Sequence, residues 1–320
     1  MKLAEEFRHL LNRGGLNLPL PGHGDTPRRH KCLAEIARRD LSLARLAEAH
    51  CDAVAILNEA GATPVPGALY GVWASDGGAQ PLAMKVVDGR YTISGQKMFC
   101  TGAGIVDRAL ITAGGDDGDL IDVDFQAARD TVTFDLSTWK TAAFADTQTA
   151  TATFSNTPVE AVNRIGSREW YLERAGFWHG ACGPAACWAG GALRLVDYAL
   201  KNNRDEPHSL AHLGALKAAE WALDACMNRA GCQIDDDPYD PVSAKTRALM
   251  FRHIVEQTCS EVLERFGRAY GPRPLAYDGE MSRHYQELIL FLRQCHAERD
   301  LEVLARTIRS GSKEAKQNVA

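Results

Sequence analysis

Gly89-Arg90-Tyr91-Thr92-Ile93-Ser94-Gly95-Gln96-Lys97-Met98-Phe99-Cys100-Thr101-Gly102-Ala103-Gly104 is the stretch from which the rest of the chain is read. Tyr91, Thr92, Ile93, Phe99 and Thr101 are β-branched or aromatic, types that suit a pleated, half-buried surface. Glycines bound the run on both sides, so it reads as a strand between turns. Working outward, LYGVWA, AMKVV, RALITA, LIDVDF, TVTF and TATATFS have the same character. Asp76-Gly77-Gly78, Asp88-Gly89 and the glycine-rich run 114–118 supply turn chemistry between them. Seven short strands in close succession predict a compact antiparallel barrel or sandwich.

On either side the period changes. Residues 31–59 place Leu33, Ile36, Ala37, Leu41, Leu46, Ala53, Ile56 and Leu57 at three- and four-residue steps, the pattern of a helix. Gly61, Pro64, Pro66 and Gly67 end it. A short amphipathic helix and a Gly/Pro-rich connector over 14–27 precede it. From Ser167 onward the helical period returns. Breaks at Pro207, 235–241 and 271–274 separate four predicted helices, 168–202, 209–234, 240–269 and 281–309, which suit an up-down bundle. The expected fold class is α+β, mainly α. A short N-terminal helical segment (1–67) precedes a central antiparallel β-domain (68–165) and a C-terminal four-helix bundle (166–320), whose polar tail, 312–320, frays.

Composition narrows the function classes. A net charge of −5 and the absence of any basic block argue against nucleic acid. The nine cysteines, odd in number and irregular in spacing, form no CxxC and read as reduced thiols among apolar helix residues. No run approaches the roughly 18 apolar residues of a membrane span, and the N-terminus lacks a signal peptide's apolar core. A cytoplasmic protein that contacts no membrane is expected. His208 and His212 have the spacing of a helical metal pair, but no third ligand stands out and no metal site is expected. Trp170, Tyr171, Phe177 and Trp178 read as bundle core, and Gly102-Ala103-Gly104 as a tight turn.

The order helix, β-domain, bundle and the stretch 89–104 together resemble the acyl-CoA dehydrogenase superfamily. The motif's turn glycine, lysine and Phe99-Cys100-Thr101 are similar to the family's middle-domain signature. Leu69-Tyr70-Gly71-Val72-Trp73 stands where the family has its first flavin-contacting strand, and 147–159 where it has the strand that closes the domain. The resemblance implies FAD between β-domain and bundle. It implies Phe99 as a wall for the ring and Thr101 as the hydrogen-bond donor to its reactive nitrogen, with Cys100 between them and Tyr70, Val72 and Trp73 alongside. An isoalloxazine ring needs such an apolar wall and a few polar contacts. An ordinary buried strand also favours Phe and Thr, and that reading stays open. The segment 268–275 and the run LILFLRQCHAERD, 288–300, resemble the end of the family's bundle, with a flavour of the flavin monooxygenases that share the fold.

The chain departs from the family in four places. Its N-terminal helical segment is short. The family's acidic, glycine-rich flavin loop is replaced by Ala74-Ser75-Asp76-Gly77-Gly78-Ala79. The Arg-x-x-Phe-Gly segment that holds the dinucleotide is not intact, and Arg204 stands near its place. No Glu-Gly-Thr occurs, so the dehydrogenase base is missing. Counting along the last predicted helix brings Cys295 or His296 near that position, with Glu298 two or three residues on. His296 falls four and eight residues after Leu292 and Leu288, along an apolar seam expected to face the bundle interior, whereas Glu298 aligns with Gln294 and Leu290 on a more polar row; a solvent-facing histidine is the alternative.

The resemblance thus implies an FAD-dependent oxidoreductase acting on an acyl thioester or related small molecule. Its alternatives are a flavin monooxygenase fed reduced flavin by a separate reductase, or a silent subunit paired with an active homologue. Bundle helices apolar on more than one side call for cover, so a homodimer or homotetramer is expected, with an electron-transfer or reductase partner.

Overall fold

A computed structural model describes residues 2–75, 80–87, 90–114, 118–167 and 169–317, with side chains described for all but 87 and 311–317. The turns expected at Asp76-Gly77-Gly78 and Asp88-Gly89, the middle of 114–118 and the last residues of the tail lie outside these. The described part of the tail is helical to Gln317, because its Lys, Glu, Ala and Gln residues are good helix formers. Two compact units share the chain: residues 1–18 with 45–177, and 19–44 with 178–320. That division differs from one cut at 67 and 165.

Among the described residues the first unit holds α1 (Lys2–Asn12), most of α3 (Leu41–Glu59), α4 (Trp170–Glu173) and eight strands in two four-stranded sheets. The strands are β1 (Tyr70–Trp73), β2 (Ala83–Val87), β3 (Arg90–Cys100), β4 (Arg108–Ala113), β5 (Asp119–Asp124), β6 (Val132–Asp135), β7 (Ala150–Val159) and β8 (Arg164–Ile165). One sheet has the order β1-β4-β5-β8, the other β2-β3-β7-β6. All pairings are antiparallel except β1 with β4, which is parallel. Among the described residues no helix links that pair; the chain between them forms two strands of the other sheet. Ala53, Ile56, Leu57, Tyr70, Leu110, Leu120, Ile165 and Tyr171 pack into one buried cluster behind the β1-β4-β5-β8 sheet. Burying aliphatic and aromatic side chains stabilises by roughly 1.5–3 kcal/mol each.

β3 is bent. Gly95 has φ 129°, and a Cβ there would stand 2.6 Å from the Pro81 carbonyl oxygen, so only glycine fits this bulge. The buried Lys97 ammonium crosses from β3 to the other sheet and donates to Thr112 Oγ1 at 2.7 Å. Arg8 of α1 grips Asp107 with two 2.9 Å bonds, and Asp107 also accepts from the Leu69 N–H.

The second unit is helical: α2 (Thr26–Arg39), α6 (Cys182–Lys201), α7 (Pro207–Asp236), α8 (Pro241–Tyr270), α9 (Arg273–Tyr277), α10 (Gly279–Leu292) and α11 (Glu298–Gln317), with α5 (Ala175–Gly180) at the division. α6 is buried around most of its circumference. Its Gly190 lies against the backbone of Ala34 on α2, where a Cβ would overlap the Ala34 carbonyl. Arg38 of α2 pairs with Asp197 of α6, and Ser42 donates to the buried Glu287 of α10 at 2.8 Å.

Three predicted helices are interrupted. The helix expected over 31–59 breaks at Asp40, which is extended and accepts the Leu43 N–H at 2.8 Å as the cap of α3. The one expected over 168–202 is three pieces, α4, α5 and α6. The last one stops at Leu292 and restarts at Glu298. No helix among the described residues is long and apolar enough to cross a membrane.

Candidate functional site

The end of β3 forms a corner with the segment that leads into β7. Gly102 donates to the Thr147 carbonyl and Ala103 to the Gln148 carbonyl, fastening the two segments side by side. Phe99, Phe144 and Gln148 all have positive φ, at 58°, 59° and 49°. Left-handed backbone costs a non-glycine residue roughly 1–2 kcal/mol, and such positions gather where structure serves a ligand. Phe99 is also 54% exposed, an aromatic held outward by its own backbone at the sheet's end.

Behind it the corner is closed. Trp73 is buried, stacks on Phe125 at 4.9 Å and donates from Nε1 to the Thr101 carbonyl at 3.0 Å. Cys100 is fully buried with its thiol on the Lys97 carbonyl, and burial pushes that thiol up to about 12. A neutral thiol of this kind is a packing group. The half-buried Thr101 hydroxyl contacts Thr149 Oγ1 at 3.1 Å, and Thr149 contacts Thr147 Oγ1 at 3.0 Å. Thr147 in turn donates to the Phe144 carbonyl at 2.8 Å.

The residues expected along β1 divide by burial. Tyr70 belongs to the core cluster: its N–H donates to His50 Nδ1 at 3.1 Å and its hydroxyl accepts from Val65 at 3.0 Å. Burial holds His50 down at about 4, so it is neutral and free to accept. Trp73 is likewise committed inward, and Val72 is half-buried. Phe99, with the half-buried Thr101 and Val72, is therefore what this set has to offer a ligand. The corner fits a flavin ring in kind: an exposed aromatic face, a hydroxyl two residues on, and a backbone held in the conformation that presents them.

The other expected residues lie in the second unit. Arg204 is exposed, donates to the Ala269 carbonyl at 2.9 Å and lies over the Tyr270 ring. His296 and Glu298 are exposed. The expectation that His296 faces the bundle interior does not hold, because α10 ends four residues before it. Arg293, Gln294 and Cys295 close tight turns onto Leu290, Phe291 and Leu292, and Ala297 has φ 50°. Arg252 of α8 draws the Gln294 carbonyl to itself at 2.8 Å. Asp300, in the first turn of α11, reaches back to the His296 N–H at 3.2 Å. Leu288 and Leu292 stay buried, but the His296 side chain is 69% exposed and lies 3.4 Å from Asp300.

Sequence reading missed Thr147, Thr149 and Arg252. The threonines had a visible signal, since Thr147, Thr149, Thr151 and Thr153 alternate in the sequence, although β7 begins only at Ala150 and the first two lie in the turn before it. Arg252 had none. Two described cavities, about 170 Å³ beside Asp122 and Thr157 and about 340 Å³ between α7 and α8, are lined by none of the expected residues.

No family model matches the chain, and no curated protein matches it. Solved structures do. Butyryl-CoA dehydrogenase from Megasphaera elsdenii superposes with a TM-score of 0.80 at 17% identity, over 95% of this chain and 89% of that one. TdsC from a Paenibacillus species, solved with FMN and indole, gives 0.76 at 17% identity over 95% and 94%. KijD3, in complex with FMN and a dTDP-amino-keto sugar, gives 0.80 at 17% identity over 96% and 86%. Coverage of nearly the whole chain by a dehydrogenase and a monooxygenase alike shows one thing about this protein: it has the fold that these enzymes share.

Proposed function

We propose that this chain is a flavin-dependent oxidoreductase acting on a small molecule, with the flavin ring held at the corner of Phe99 and Thr101. The observation that carries this reading is Phe99, an aromatic more than half exposed on left-handed backbone. Nothing in folding rewards an exposed phenyl ring at a strained position, whereas a stacked planar ligand does. Phe99 would cover one face of the ring and Thr101 would meet its reactive nitrogen. FMN in two fold neighbours makes either FMN or FAD a reasonable cofactor.

A bound flavin would supply hydride acceptance in a dehydrogenase, or activation of dioxygen in a monooxygenase. The chain's residues favour the second. Removing an α-proton from an acyl thioester needs a positioned base. Glu-Gly-Thr is absent, and His296 and Glu298, the positional substitutes, are exposed around a helix break. Hydroxylation of an electron-rich substrate asks less of a carboxylate, and a separate reductase would provide reduced flavin. Assembly through the bundle, as a homodimer or homotetramer, is supported by Trp221, 75% exposed on α7.

Titration of the purified protein with FAD and with FMN, followed by flavin fluorescence, tests the reading. Saturable binding that Phe99→Ala weakens is expected. No binding of either flavin would sink it. Oxygen uptake with reduced flavin and small aromatic or amine substrates, set against bleaching by acyl-CoA thioesters, separates the two chemistries.

A further inference from the structure

The polarity of the Thr101 hydroxyl is fixed by its neighbours. The Phe144 carbonyl oxygen can only accept, so the 2.8 Å contact from Thr147 Oγ1 must contain the Thr147 proton. Thr147 then has no proton for its 3.0 Å contact with Thr149, which must use the Thr149 proton. The 3.1 Å contact between Thr149 and Thr101 must in turn use the proton of Thr101. Three contacts consume three protons. Reversing any one of them would leave two oxygen atoms facing each other at hydrogen-bond distance with nothing between. Thr147 and Thr149 are buried, so water does not offer them a substitute.

Resting on the flavin reading above, we infer that the Thr101-Thr149-Thr147 relay makes Thr101 an acceptor toward its ligand, so that this site prefers reduced flavin to oxidised flavin. The reactive nitrogen of oxidised flavin carries a lone pair and can only accept. In the reduced flavin the same nitrogen carries a hydrogen and donates. A hydroxyl whose proton is spent inward complements the second and opposes the first. Thr149 and Thr147 would touch no ligand and act by positioning that proton. The preference suits a protein that receives its flavin already reduced.

Anaerobic titrations with oxidised and dithionite-reduced FAD, and in parallel FMN, read the preference directly. The wild type should bind the reduced form tighter by on the order of tenfold. Such a ratio raises the midpoint potential of the bound flavin by about 30 mV for the two-electron couple. Oxidised 5-deazaflavin, with a C–H in place of the nitrogen lone pair, should bind tighter than oxidised flavin. Thr149→Val keeps the shape, frees the Thr101 proton and should close the gap. Thr147→Val, one step further from the ligand, should do the same, and serves if the first variant folds poorly. A merely structural role would weaken both redox forms equally. An unchanged reduced-to-oxidised ratio in variants that still bind flavin overturns the inference and leaves the flavin site standing. Failure of the wild type to bind flavin overturns both.

Discussion

The corner where β3 ends and the break between α10 and α11 were both reached through one resemblance, and they are built in opposite ways. At the corner, Trp73, Cys100, Thr147 and Thr149 are buried, their polar atoms are bonded, and strained backbone presents Phe99. At the break, Arg293, Gln294, His296, Glu298 and Arg299 are exposed, and the imidazole of His296 meets Asp300 at 3.4 Å with most of its surface in the open. The corner was located by a pattern of neighbouring residues, the break by counting along a helix that does not continue. A local motif carries its own geometry; a counted position inherits every error in the element it is counted along.

The largest effect should come from the corner's packing. Trp73→Ala removes a buried indole and its stack on Phe125, and should cost about 3–5 kcal/mol in urea unfolding. A loss under about 1 kcal/mol would mean that the corner is not rigidly packed.

Acid should come next. His50 behind β1, and His30 and His284 in the helical unit, are buried and held neutral at about 4, below the ordinary 6.5. Unfolding lets each take up a proton at its ordinary value, so stability is fully present above about pH 7. It is lost as pH falls from about 6.5 toward 4, by up to about 3 kcal/mol for each histidine. Urea midpoints measured across that range should fall monotonically, and a flat profile would contradict the burial of all three.

Phe99→Ala should leave the fold intact, because its ring is more than half exposed, yet weaken flavin binding by about 1–3 kcal/mol. Phe99→Gly should melt higher than Phe99→Ala, by about 1 kcal/mol, since glycine alone accepts that φ without strain. Equal melting of the two would remove strain from the account of the corner.

His296→Ala should matter least. Stability should change by less than about 0.5 kcal/mol, as for most surface substitutions. Turnover, once a substrate is found, should fall by less than about tenfold, short of the roughly 100- to 10,000-fold of a general base. A loss inside that range would give the break the importance that the resemblance assigned to it.

Much of this was legible in the sequence, for physical reasons that also mark its limits. The change of period at Ala68 and again near Ser167 separated strands from helices, because alternation and 3.6-residue repeats reflect which faces are buried. Phe99 and Thr101 were legible as a motif. The polarity of Thr101 was not, since it depends on Thr149, 48 positions away in sequence. The parallel pairing of β1 with β4 leaves no mark on either strand. The stop at Leu292 carries no glycine or proline; it is imposed by Arg252 on another helix, by turns onto Leu290, Phe291 and Leu292, and by Asp300 beyond it. The break at Asp40 was visible in principle, as a capping residue three before Leu43.

The interleaving of the two units has a consequence for the order of events on the ribosome. Half of the residues of α2 are buried, chiefly against α6 and α7, and Arg38 finds Asp197 only 159 positions later. At about 5–20 residues per second, that partner emerges on the order of ten to thirty seconds after α2 does. Meanwhile the strands of the first unit, all complete by Ile165, can pair and close. The newborn chain therefore carries a finished β-domain and an unmatched amphipathic helix at the same time, and that helix, rather than any strand edge, is the place where a chaperone would have most to hold.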